Sequence, residues 1–255
     1  MRRFTRRIST VALTVTSLVV AFQSTPSANH SWNGYHWART SNPFTVRLGD
    51  NVSSTWDSHL LVASGDWSAS SVLNTLVVAG QSRTRNCKPT AGRVEVCNST
   101  YGNNGWLGIA QIWISGSHIT QGAVKMNDTY FNTATYNTPA WRQLVVCQEV
   151  GHTFGLDHQD ENFDNPPLGT CMDYTSDPAP NQHPNQHDYK ELEIIYAHLD
   201  STNTTSAVAP RGNAFDLNAP SEWGRLMHST RGGRAQTFER DLGNGHRIVT
   251  FVIWA

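Results

Sequence analysis

The chain has 255 residues, 38% of them apolar and 15% charged, with a formal net charge of −1. That length admits one sizeable core with a small appendage. Without a basic excess there is no electrostatic footprint for nucleic acid or an anionic membrane surface.

Arg2, Arg3, Arg6 and Arg7 precede a mostly apolar, uncharged stretch over 8–22 that is too short to span a bilayer comfortably. The pattern predicts a secretory signal over residues 1–28, no stable membrane insertion after its removal, and a secreted, extracellular product; the competing reading is an N-terminal membrane anchor. Four cysteines follow: Cys87, Cys97, Cys147 and Cys171. An even count in an exported chain favours disulfides. Three pairings are open; proximity favours Cys87–Cys97, which leaves Cys147–Cys171. No close Cys-x-x-Cys pair is present, so the four do not read as a zinc site.

Beyond an aromatic stretch with Trp32, Tyr35, His36 and Trp37, a first strand is expected at Phe44, Thr45 and Val46. Trp56, Leu60, Ala63 and Trp67 recur at near-helical spacing within 51–69, with Ser53 or Ser54 as the N-cap. Strands are expected over 73–79, 93–97, 106–114 and 119–126, with a turn at Gly116 and Ser117. Pro139 opens a helix, at a position where its missing N–H costs nothing, that runs to about Thr153 and is apolar on most sides, hence deeply buried. A second amphipathic helix is expected over 187–199. A linker over 201–220 and a three-strand β-meander over 221–255 follow. The meander is too short for a core of its own and is expected to dock on the main body, residues 29–200. Sequons at Asn51, Asn98, Asn127 and Asn203 matter only on a eukaryotic secretory route.

The chemistry concentrates at the end of the Pro139 helix. Positions 148 and 152 lie four apart on one helical face, and Glu149 sits beside them. Gly155 lets the chain turn sharply and bring His158 back towards the same point. Three ligands with an open fourth position suit a catalytic zinc. Glu149 has Thr at position 153, one turn on, and no basic partner there. A lone buried carboxylate is costly unless paired or metal-linked, so it needs a tertiary partner or a chemical task.

The run Gln148-Glu149-Val150-Gly151-His152-Thr153-Phe154-Gly155-Leu156-Asp157-His158, followed by Cys171-Met172-Asp173-Tyr174, resembles the metzincin clan of zinc endopeptidases, most closely secreted bacterial matrixin-like metalloproteases. The resemblance covers about residues 32–199. It implies an α+β fold: a twisted mixed sheet, a site helix, a Met turn and a closing helix, to which this chain adds the meander. It implies His152 and His158 as zinc ligands, Glu149 as general base, Met172 as the apolar floor beneath the metal, and a peptide or protein substrate cleaved through a metal-activated water. Tyr174 follows Met172 by two, as in the astacin and serralysin branches, where such a Tyr approaches the metal or stabilises the oxyanion; the alternative is a packed aromatic. Residues 106–114 are implied to be an edge strand above the cleft, to which an extended substrate adds by β-pairing.

One position departs from the family pattern: Gln148 stands where the first zinc-binding His belongs. Its amide oxygen is a neutral, hard donor. Three outcomes compete. Gln148 ligates zinc; or Tyr174 or a carboxylate from 157–164 supplies the third bond; or the metal is lost and the chain is an inactive metzincin-like scaffold acting as a secreted binding protein. Asp157, Asp160, Glu161 and Asp164 also admit Ca2+, although their spacing matches no EF-hand and favours a solvated loop.

Overall fold

The computed structural model describes residues 30–206 and 217–255; the expected signal and the middle of the expected linker lie outside the described residues. The fold is α+β. The strands are β1 (His36–Trp37), β2 (Phe44–Asn51), β3 (Leu73–Ala79), β4 (Arg93–Ser99), β5 (Trp106–Ser115), β6 (His118–Asn127), β7 (Arg225–Ser229), β8 (Ala235–Gly243) and β9 (His246–Trp254). They form one mixed sheet in the order β3-β2-β4-β6-β5-β9-β8-β7, with β1 pairing with β6. Pairing is parallel from β3 to β6 and antiparallel from β6 through β5 to β7.

Helix α1 (Ser54–Trp67) buries Trp56, Leu60, Ala63 and Trp67 on one face, as the spacing anticipates. Ser53 occupies its N-cap position, but its hydroxyl accepts from Asn98 Nδ2 instead of from the helix. A short helix α2 (Asp128–Phe131), absent from the sequence reading, is capped by Asn127. Helix α3 (Pro139–His152) starts at Pro139, is capped by Thr138, and is buried from Arg142 to His152. Trp67 of α1 donates its indole N–H to the Cys147 carbonyl of α3, 3.1 Å away, so the two helices lie side by side against the sheet. Helix α4 (Gln186–Ile195) carries a capping box between Asn185 and Asp188. It ends four residues short of the expected 199. Asp200 is captured by the Arg39 guanidinium at 2.8 Å, which draws the chain away from the helical path and leaves Leu199 exposed.

Both disulfides form as proximity favoured, Cys87–Cys97 and Cys147–Cys171. The second joins α3 to the segment carrying Met172. No helix among the described residues is long and apolar enough to cross a membrane.

The expectation of a free edge at 106–114 fails. β5 pairs with β6 on one side and with β9 on the other, from Trp106↔Trp254 to Ser115↔His246. The cause lies in β9. Ile248, Val249, Phe251, Val252 and Ile253 are all buried, so both of its faces demand cover, and a strand of that kind belongs inside a sheet. Val249, Phe251 and Ile253 join the main core beneath α3, whereas Ile248 and Val252 join a second cluster with Trp106, Trp113, Trp223 and Phe238.

Candidate metal centre

Four features of α3 and its exit build the centre. The helix ends at His152, and Gly155 turns the chain with φ +92°, where a Cβ would stand 1.9 Å from the Tyr35 carbonyl oxygen. Carbonyls left open at the helix end are taken by the Trp37 indole, which donates to Thr153 O at 2.9 Å, and by the Tyr196 hydroxyl, which donates to Phe154 O at 2.9 Å. Residues after the turn are then held by main-chain bonds, Asp157 N to His30 O and Gln159 N to Met172 O. Gly155→Ala should therefore destabilise the protein by about 2–4 kcal/mol, through a strained left-handed residue and a backbone clash, as measured by denaturant unfolding. A loss under half that size would mean the turn relaxes freely.

The turn brings the two predicted imidazoles together: the His152 and His158 rings lie 4.4 Å apart, edge to face. His152 Nδ1 sits 2.9 Å from the Leu156 carbonyl. A carbonyl only accepts, so Nδ1 carries the proton and Nε2 keeps its lone pair. Burial, reinforced by the neighbouring His158, pushes the His152 pKa down to about 3, so the ring is neutral. His158 Nδ1 lies 3.2 Å from Asp157 Oδ1, the carboxylate–imidazole arrangement that orients metal-bound histidines. Burial alone would raise Asp157, but the hydrogen bond and charge of His158 bring its pKa below the usual value. Sequence reasoning placed Asp157 only in an acidic loop; its position directly before His158 was the available signal.

Glu149 is fully buried, and its Oε2 has no hydrogen-bond partner among the described residues. Burial holds its pKa well above the usual carboxylate range. Its other oxygen lies over Gly108 of β5, 2.7 Å from where a Cβ would stand, so this glycine makes room for the acid. Gln148 is equally buried. Its Nε2 donates to the Cys171 carbonyl at 3.0 Å, and its Oε1 is left without a partner. Met172 is buried with its sulfur against Gly151 of α3. The Tyr174 ring packs on His158 at 3.9 Å and on Phe163 at 4.7 Å. Burial, then the charges of Asp157, Glu161 and Glu149, raise the Tyr174 pKa well above its ordinary value, so its hydroxyl stays protonated.

A zinc ion fits this donor set. The Nδ1 atoms of His152 and His158 are already committed, which leaves their Nε2 atoms for a metal, and the Gln148 amide oxygen is a third donor buried without a partner. The fit is looser than with three imidazoles because the Gln148 oxygen is a harder, neutral donor.

Sequence reasoning missed the cover. Phe251 of β9 stacks on the His152 ring, 4.3 Å between centroids and 5° from parallel, and meets Trp32 at 4.8 Å. Further contacts tie the tail to the site loop: His228 with Glu161 at 2.9 Å, and the Arg234 guanidinium over Phe163 at 3.8 Å. Gln148, Glu149, His152 and Tyr174 are all closed off from solvent.

No family model matches the chain, and no curated protein does. Among solved structures, it is similar to high choriolytic enzyme 1, a hatching-enzyme zinc-protease from the medaka fish Oryzias latipes. The two share 9% sequence identity with a TM-score of 0.36, over 70% of this chain and 99% of the other.

Proposed function

We propose that this chain is a secreted zinc-dependent endopeptidase of the metzincin kind, similar to the bacterial matrixin-like enzymes, held closed by its own β9 strand. The observation that carries the reading is the His152–His158 pair beside a buried, unpartnered Glu149 carboxylate. An idle buried acid costs several kcal/mol unless a cation or a proton offsets it, on the order of the desolvation penalty for a charge in a protein interior.

His152, His158 and Gln148 Oε1 would hold the ion. When bound, zinc acidifies water and polarises a carbonyl. Glu149 takes the proton released as water attacks the scissile carbonyl and returns it to the leaving amine. Tyr174, kept protonated by its burial, donates a hydrogen bond to the developing oxyanion. Asp157 keeps His158 in one orientation throughout. Peptide access requires β9 to leave β5, whose freed edge then accepts an extended substrate in its place.

Gln148→His tests the ligand assignment. Imidazole is the better zinc donor, so zinc affinity should rise at least about tenfold by competition with a chelator, the scale on which ligand-shell changes act. Unchanged affinity together with unchanged cleavage would show that position 148 does not touch the ion. Wild-type protein that binds no zinc in excess would favour the secreted binding-protein reading instead.

A further inference from the structure

A second group of potential ligands lies outside the site on α3. The His36 and His198 Nε2 atoms are 3.1 Å apart, and they lie 3.6 and 3.7 Å from Asp200 Oδ1. His118 Nε2 is 3.2 Å from the same oxygen. A triangle with the first three edges has a circumradius of about 2.0 Å, which is the Zn–N and Zn–O bond length. Three donors so placed admit a small cation between them without moving.

The surroundings hold these atoms in that state. His36 Nδ1 lies 2.7 Å from the Gly34 carbonyl, so it carries the proton and Nε2 presents its lone pair. Asp200 Oδ2 is taken by the Arg39 guanidinium at 2.8 Å and by the Arg39 main-chain N–H at 3.2 Å, so Oδ1 alone faces the imidazoles. Arg39 also donates to the His198 carbonyl, fixing the segment that carries both His198 and Asp200. His36 and His118 sit opposite each other in the β1–β6 register. The site is reachable: the His198 side chain is 52% exposed and that of His118 34%.

We propose that His36, His198 and Asp200, joined by His118 once its side chain swings in from beside Asp200, form a metal site separate from the one on α3, taking zinc or a cation of the same class. Imidazole nitrogens with a single carboxylate oxygen suit zinc and disfavour Ca2+ and Mg2+, which take all-oxygen shells. Its ligands come from β1, the start of β6 and the chain after α4, so a bound ion staples three distant segments of the main body.

The test is zinc content of the full chain, stripped with chelator and reloaded, for wild type and His198→Ala. The half-exposed imidazole leaves little packing to lose. The variant should hold one zinc fewer per chain, whether or not His152 and His158 also hold one. Equal zinc content would overturn the proposal and leave a hydrogen-bonded cluster. Wild-type protein supplies an independent readout: zinc should protect His118 and His198 from diethyl pyrocarbonate, scored by mass spectrometry. Equal modification with and without zinc would also overturn it.

Discussion

Phe251→Ala should raise peptide cleavage and lower thermal stability in the same protein. The ring is buried, stacks on His152 and packs against Trp32, so truncation removes contacts that span β9 and the main body. Emptying a buried Phe site costs about 3–5 kcal/mol. Where that loss falls on docking of the tail, each 1.4 kcal/mol multiplies the open population about tenfold, so cleavage should rise by about one to two orders of magnitude. Cleavage of a quenched peptide and a thermal melt, run on one preparation, check both halves. A lower melting temperature without faster cleavage would mean that β9 is structural cover and not the barrier to substrate.

Glu149→Gln should have the opposite effect on chemistry. Removing a positioned general base lowers rate by about 10²–10⁴-fold. Zinc content should not change, because the carboxylate is not among the proposed ligands. The same variant reports on burial. Glu149 has a raised pKa in the folded protein, so the folded state binds more protons than the unfolded one. In the metal-free protein its contribution to stability is full below the ordinary glutamate value and is lost as pH rises towards the elevated one. His152, with its pKa lowered to about 3, acts in the reverse sense, losing stability as pH falls below its unfolded value. The difference between wild type and Glu149→Gln isolates the carboxylate, and the variant should be the more stable of the two at neutral pH without zinc. Loss of zinc from the variant would instead make Glu149 a ligand, and retained cleavage would remove it from the mechanism.

Much of this was readable from local pattern. The bounds of β3 coincide with those expected, because Leu73–Ala79 is a short β-branched run between turn residues. Pro139 marked the start of α3, and near-helical spacing of Trp56, Leu60, Ala63 and Trp67 marked α1. The convergence of His152 and His158 followed from helix geometry and one glycine turn, all within seven residues of chain. What the pattern missed depends on residues far apart in sequence. Nothing near 106–114 announces that β9 will pair there; the signal lies in 248–253, whose apolar run lacks the alternation of a half-buried strand. Phe251 meets His152 only through that pairing. The cluster around Asp200 shares the same origin, since His36, His118 and His198 are brought together by β1–β6 registry and by Arg39, and only His198-x-Asp200 is local. The overlong reading of α4 missed the pull of Arg39 for the same reason.

The pairing of β5 with β9 also bears on how the polypeptide is made. β5 leaves the ribosome well before α3, α4 and β9 exist. Throughout that interval one border of a nearly all-apolar strand is unsatisfied, and such borders recruit other nascent chains. Biogenesis therefore carries an aggregation hazard at that border until β9 arrives to cover it.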